Sequence, residues 1–169
     1  EFPLRMADGR TSIVRMLTWL DGVPVVRVGV SAALRRDMGR TLARLGAALR
    51  DFDHPGASHD IQWDIKHASR LRPLVVSLSE TGLRRQLLAE LDHFDAAVRP
   101  ALAGLRQQVV HNDLNHHNVL LDPPCPDRVS GVLDFGDMVK TPLVVDLAVA
   151  ASYMTHQDDG ALRCVAEMA

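Results

Sequence analysis

Leu34, Met38, Leu42, Leu45 and Leu49 recur at three- and four-residue intervals. That spacing places side chains on one helical face and predicts a helix over residues 31–50, with Ser31 as its N-cap. Arg35, Arg36, Arg40 and Arg44 fall mostly off the stripe and are expected on a solvated face. Pro55-Gly56 ends the segment. A shorter helix is predicted over 59–71, with Ile61, Ile65 and Ala68 inward and Trp63 packed. Leu83, Leu87, Leu91, Phe94 and Val98 mark a long helical region over 80–107, which Pro100 should kink or restart.

Either side of these helices the pattern shortens. Phe2–Met6 and Ser12–Trp19 flank the turn signal Ala7-Asp8-Gly9-Arg10, which predicts a hairpin. Asp21-Gly22 marks a second turn, into a strand over Val23–Val28. After Gln108, Val109-Val110, Val119–Leu121 and Val129–Leu133 read as short buried strands, the last two separated by a loop over Asp122–Asp127. Residues 143–155 read as a buried helix carrying one acid, Asp146. Strands, long helices, short strands and a helix in that order make an α+β pattern.

Composition narrows the function. The chain has 169 residues, of which 47% are hydrophobic, enough for one core, and a net charge of -2. Nothing in that balance suggests a nucleic-acid or anionic-membrane surface. The longest apolar stretch, Leu143–Ala151, is interrupted by Asp146 and is far shorter than the roughly 20 residues of a membrane span. Cys125 and Cys164 form no CxxC pair, and no signal peptide is visible, so a cytoplasmic setting is expected.

Two polar clusters follow apolar strands directly. One runs from His111 to Asn118, and the other is Asp134-Phe135-Gly136-Asp137. Asn118 and Asp134 offer oxygen ligands suited to Mg²⁺, a hard cation that takes few protein ligands plus phosphate and water. Asp113, five residues before Asn118, can face a hydroxyl beside a metal-bound phosphate. Phosphoryl transfer is the chemistry such a set suits, because positioning and charge neutralisation dominate it.

The series His111-x-Asp113-x4-Asn118, then Asp134-Phe135-Gly136, resembles the catalytic loop and metal motif of protein-kinase-like enzymes. With Asn112 and Asn115 in the loop, and Asp146 in Val145-Asp146-Leu147-Ala148, it is most similar to the aminoglycoside phosphotransferase and choline kinase superfamily. Gly131 to Met138 and Thr141 to Val144 look closest to hydroxylysine-kinase-like proteins. The resemblance implies a protein-kinase-like C-terminal lobe over 29–169, and a remnant of N-lobe strands and hinge over 1–28. It implies ATP or GTP with Mg²⁺ as cofactors, and as acceptor a hydroxyl of a small amine-bearing molecule: a hydroxylysine-like amino alcohol first, then aminoglycosides, homoserine and choline.

It also implies roles. Asp113 is the catalytic base, and His111 holds its loop. Asn118 and Asp134 bind Mg²⁺, and Asp146 braces the catalytic loop. Leu17, Thr18, Trp19 and Leu20 form the hinge that offers backbone groups to adenine. Asp137 either approaches substrate or metal or caps the turn after Gly136. Tyr153, Met154 and His156 either line a substrate pocket or pack. The first 28 residues hold no glycine-rich phosphate loop, and no lysine precedes Lys66. Lys66 and Lys140 fall in the C-lobe, so the chain is expected to be a fragment that binds ATP poorly alone. Two rival readings remain. One is a non-catalytic kinase-like scaffold. The other is a metal-dependent hydrolase built on His111, Asp113, His116 and His117, with His54, His59 and His67 as further ligands.

Overall fold

The computed structural model describes residues 2–155 and 161–169. The chain forms seven short strands and six α-helices among these residues, in the mixed order expected of an α+β protein-kinase-like C-lobe. Strands β1 (Phe2–Arg5) and β2 (Thr11–Val14) make the expected hairpin, with Phe2 opposite Val14 and Arg5 opposite Thr11. The second strand is shorter than the apolar run predicts: among the described residues no strand pairing extends beyond Val14. Phe2, Leu4, Ile13, Leu17 and Trp19 are all exposed. The third strand is also cut short: β3 (Val23–Pro24) pairs with β5, and residues 25–27 then turn in a 3₁₀ coil that ties Val26 N–H to the His116 carbonyl at 2.9 Å.

Helix α1 (Ala32–Ala48) follows its leucine stripe closely. Ser31 Oγ accepts from Leu34 N–H at 3.0 Å, satisfying one of the first-turn donors. Leu34, Met38 and Leu42 are buried, and each fully buried side chain of this kind contributes about 1.5–3 kcal/mol. One arginine departs from expectation. Arg35 is buried, its Nε donating to Glu167 Oε2 at 2.5 Å from α6 (Ala161–Met168). The two helices touch so closely that a Cβ on Gly39 would lie 1.8 Å from the Met168 carbonyl oxygen.

The predicted helix over 59–71 is instead a loop followed by a 3₁₀ segment, Ile65–Leu71, running into α2 (Arg72–Val76). Asp64 caps it and is itself buried, accepting from Thr141 Oγ1 at 3.0 Å and lying 2.9 Å from Lys66 Nζ. The long helical region divides as Pro100 requires: α3 (Thr81–His93), a π-helical turn over Phe94–Val98, and α4 (Arg99–Ala103) with the proline in its first turn.

The remaining strands form two sheets. Strand β5 (Val119–Asp122) lies between β3 and β6 (Cys125–Val132), with Val119 opposite Val132. The loop predicted over Asp122–Asp127 is only a tight turn, and β6 begins at Cys125. Strand β4 (Gln107–Val110) pairs not with β5 but with β7 (Val139–Pro142), a strand the apolar pattern did not announce. Helix α5 (Val144–Tyr153) then packs its buried Ala150 and Ala151 on the core formed with Leu34, Met38, Leu114, Val119, Leu121 and Met154. Both cysteines are free thiols. Among the described residues no helix is long and apolar enough to cross a membrane.

Candidate active site

The pairing of β4 with β7 and of β5 with β6 brings two loops face to face. Residues 111–118 link β4 to β5, and residues 133–138 link β6 to β7. Leu133 N–H donates to the Asn118 carbonyl at 2.8 Å, so the two loops start as ladder neighbours. His111 locks them together. It is fully buried; its Nε2–H donates to the Leu133 carbonyl at 2.8 Å, while Nδ1 accepts from Asp113 N–H at 3.3 Å. The Phe135 ring meets the imidazole edge-on at 4.9 Å.

Each loop contains a non-glycine residue in the left-handed region, Asn112 at φ 64° and Asp134 at φ 57°. Asn and Asp tolerate this conformation better than other side chains. Such outliers gather where the surrounding structure holds a functional geometry. At Asp134 the turn is closed by Gly136 N–H, which donates to Asp134 Oδ1 at 3.2 Å. At Asn112 the backbone N–H donates to Asp146 Oδ1 at 2.8 Å, so the acid of α5 ties down the loop over 111–118. Burial raises the Asp146 pKa above the ordinary carboxylate value, opposed by the Asn112 N–H and by His111.

Asp113 is held by two amides. Asn115 Nδ2 donates to its Oδ1 at 2.9 Å, and Asn118 Nδ2 to its Oδ2 at 2.8 Å and its carbonyl at 2.9 Å. Asn115 Oδ1 in turn accepts from the N–H groups of His117 and Asn118. With its amino group committed to Asp113, Asn118 keeps an amide oxygen for a cation. Asp134, exposed at the neighbouring strand end, adds a carboxylate. One amide oxygen and one carboxylate are a hard-oxygen set that fits Mg²⁺, leaving further positions for phosphate and water.

Beside Asp113 lies a cavity of about 430 Å³, whose walls include Trp63, Asn112, Asp137 and Tyr153. Trp63 was expected to pack inside. Instead it is 59% exposed, and its indole N–H donates to Asp137 Oδ2 at 3.1 Å across 74 residues of sequence. Asp137 is therefore not a simple turn cap. Asn115, Asn112 and Trp63 are the side chains that the sequence reading passed over. Asn112 and Asn115 lay inside the recognised motif, and nothing local marked Trp63.

Leu17, Thr18, Trp19 and Leu20 stand in an exposed segment without regular secondary structure between β2 and β3. Trp19 Nε1 donates to Asp21 Oδ1 at 3.1 Å, and Leu20 lies close to Gly131 of β6. Tyr153 is half-exposed, 5.5 Å from the His116 ring, and Met154 is buried in the core. His156 lies outside the described residues. The histidines of the hydrolase reading are engaged locally: His54 accepts from Gly56 N–H, His59 bonds the Gly56 carbonyl, and His67 pairs with Asp60. Among the described residues no three His, Cys, Asp or Glu side chains are grouped to hold a metal.

The chain has relatives of known name. The chain is 33% identical over 155 residues to hydroxylysine kinase of Mus musculus, covering 86% of this chain and 41% of that protein. It is 34% identical over 131 residues to aminoglycoside 3'-phosphotransferase of Streptomyces ribosidificus, covering 73% of this chain and 44% of that one. The chain thus spans less than half the length of these curated relatives. In fold it resembles the GDP complex of aminoglycoside 2'-phosphotransferase-IIIa, with a TM-score of 0.58 at 16% identity over 99% of this chain and 62% of that one. The sequence profile of the phosphotransferase enzyme family matches residues 5–165. The chain belongs to the phosphotransferase enzyme family.

Proposed function

We propose that the protein containing this chain transfers the γ-phosphate of ATP or GTP to a hydroxyl of a small amine-bearing molecule, with a hydroxylysine-like amino alcohol as the first acceptor to try. The observation that carries this reading is electrostatic. Asp113, Asp134 and Asp137 sit on the two facing loops, and among the described residues none pairs with a lysine, arginine or histidine. Several carboxylates elsewhere are matched, among them Asp60 with Arg70, Asp95 with Arg72 and Arg99, and Glu167 with Arg35. Uncompensated carboxylates in one place call for a cation from outside, a metal and a positively charged substrate. Relatives named hydroxylysine kinase, homoserine kinase and aminoglycoside 3'-phosphotransferase supply the acceptor class, and solved neighbours carry ADP or GDP.

In this reading Asp113 takes the proton of the acceptor hydroxyl as that oxygen bonds to the γ-phosphorus. The bond from phosphorus to the bridging oxygen breaks, and the nucleoside diphosphate leaves. The amides of Asn115 and Asn118 aim the Asp113 oxygens, and a positioned base of this kind contributes about 10²–10⁴-fold in rate. Asn118 and Asp134 would hold Mg²⁺, which would neutralise charge on the phosphates. Residues 1–28 would be the end of a nucleotide-binding lobe, and the exposed apolar side chains of β1, β2 and Leu17 to Leu20 fit a segment that packs against more chain.

The test is Mg²⁺-dependent nucleoside diphosphate release by the intact protein, with hydroxylysine, homoserine, choline, ethanolamine and kanamycin as acceptors. Stimulation by one of them supports the reading. Good nucleotide binding without stimulation by any would defeat the proposed acceptor class. Asp113→Asn should abolish turnover and leave nucleotide binding intact; survival of more than about a tenth of the activity is incompatible with the 10²-fold or greater role of a base.

A further inference from the structure

Two further cavities, of about 410 and 350 Å³, share Arg106, Leu143 and Leu147 as walls and so form one groove between α1 and α5. None of its lining residues belongs to the loops over 111–118 or 133–138. Helix α1 faces the groove with Leu42 and with the small side chains of Ala43 and Ala47, which leave the space open. Gly46 lets the walls come close: a Cβ there would lie 3.3 Å from Leu143 Cδ1. Leu105 and Val144, each nearly half-exposed, extend the apolar wall. Small-molecule sites are typically concavities of about 300–1,000 Å³, mostly apolar with a few placed polar groups, and both cavities are of that size.

The charged groups on this groove are two arginines and one acid. Arg50 stands just past the end of α1, and Arg106 lies where the two cavities meet. Arg106 Nη2 donates to Gln108 Oε1 at 2.5 Å, and Gln108 Nε2 donates to the Gly46 carbonyl at 2.8 Å, so this guanidinium is tethered to the groove wall. Neither arginine pairs with a carboxylate among the described residues. Arg35, Arg70, Arg72 and Arg163, by contrast, each meet an Asp or Glu. Two unmatched guanidiniums with N–H donors to spare, on one apolar concavity, fit a carboxylate carried on an apolar tail. The acid is Asp146. It is 3% exposed, lines the groove and accepts from the Asn112 N–H at 2.8 Å. A molecule in the groove therefore touches the residue that ties down the loop over 111–118.

We propose that this groove binds a free amphipathic carboxylate and acts as an effector site. The carboxylate sits on Arg50 and Arg106, and the apolar tail lies along Leu42, Leu143 and Leu147. Occupancy packs the first turn of α5 and holds Asp146 against the Asn112 N–H. A ligand that binds the braced arrangement in preference to a loosened one shifts the population toward it. The loop that carries Asp113 is then held more firmly. Neither the binding nor the bracing depends on the phosphotransferase reading.

The probe is decanoate, added to the intact protein below its micelle-forming concentration. Titration calorimetry follows binding, and hydrogen exchange at the Asn112 amide follows the brace. Decanoate should bind at one site per chain and slow exchange at Asn112 about five-fold or more, the lower end of typical coupling between two sites. Arg50→Glu should weaken decanoate binding about ten-fold or more, the range expected for a lost charged contact. Ala47→Phe, which fills the groove, should block it. Equal binding of decyltrimethylammonium would show capture of the tail without the arginines, and would overturn the inference. Binding that leaves Asn112 exchange unchanged overturns the effector role. No binding by the intact protein overturns the whole inference, and a melting temperature lowered by Ala47→Phe would then show that other polypeptide already fills the groove. Decanoate that binds through Arg50 and protects Asn112, in a protein that no acceptor stimulates to release nucleoside diphosphate, upholds this inference and defeats the phosphotransferase reading alone.

Discussion

His111→Ala tests whether one buried ring holds the two halves of the site together. The side chain is fully buried, and its removal leaves the Leu133 carbonyl without the donor now 2.8 Å away. An unsatisfied buried carbonyl costs about 1–3 kcal/mol. The Asp113 N–H contact, at 3.3 Å, is long for an N–H donor and adds little. Losing the edge-on contact with Phe135 removes roughly 0.5–1.5 kcal/mol more. The sum is about 1.5–4.5 kcal/mol before any relaxation, a large share of the roughly 5–15 kcal/mol that stabilises a typical domain. The assay is urea denaturation of the intact protein, with and without the substitution, alongside turnover. Turnover should fall further than the unfolded fraction explains, because a displacement of about 1 Å between Asp113 and Asp134 is enough for a 10²-fold loss. A stability loss below about 1 kcal/mol with turnover preserved would show that the loops hold their places without the imidazole, and would refute the argument.

Asp134→Ala should weaken Mg²⁺-dependent nucleotide binding, measured by titration calorimetry with and without the metal; unchanged binding counts against its metal role. Asp146→Asn should keep the bond from Asn112 N–H, because the amide oxygen can accept it. The Asp146 pKa is raised by burial, so its stabilising, protonated form is present at acid pH and is lost as pH rises through the folded-state value. The variant should therefore gain stability relative to wild type as pH rises from the acid range to neutrality, and a difference independent of pH would contradict the burial argument. Gly39→Ala places a methyl 1.8 Å from the Met168 carbonyl oxygen, so α6 must shift away from α1, seen as a lower melting temperature.

Much of this protein is readable from local pattern. The α1 stripe and its Ser31 cap, the first hairpin and the Pro100 break depend on neighbours within a few residues, and periodicity and turn chemistry report those neighbours directly. The two loops that carry Asp113, Asn118, Asp134 and Asp137 were legible for a different reason. Polar runs following apolar strands stand out, and their spacing matched a known catalytic arrangement.

Contacts between distant residues left no such trace. Whether β4 pairs with β5 or with β7 is decided by which edge the chain can reach, and only the fold selects β7. Arg35 looked like a surface arginine until Glu167, 132 residues away, came to lie against it and made its burial tolerable. Trp63 looked like core, but Asp137 holds its indole at the surface beside the cavity. The sequence by itself determined which residues are candidates for the chemistry and the order of most of the elements. The tertiary structure decided what stands opposite what, because charge pairing, burial and the walls of a cavity depend on chain segments whose separation no short-range periodicity encodes.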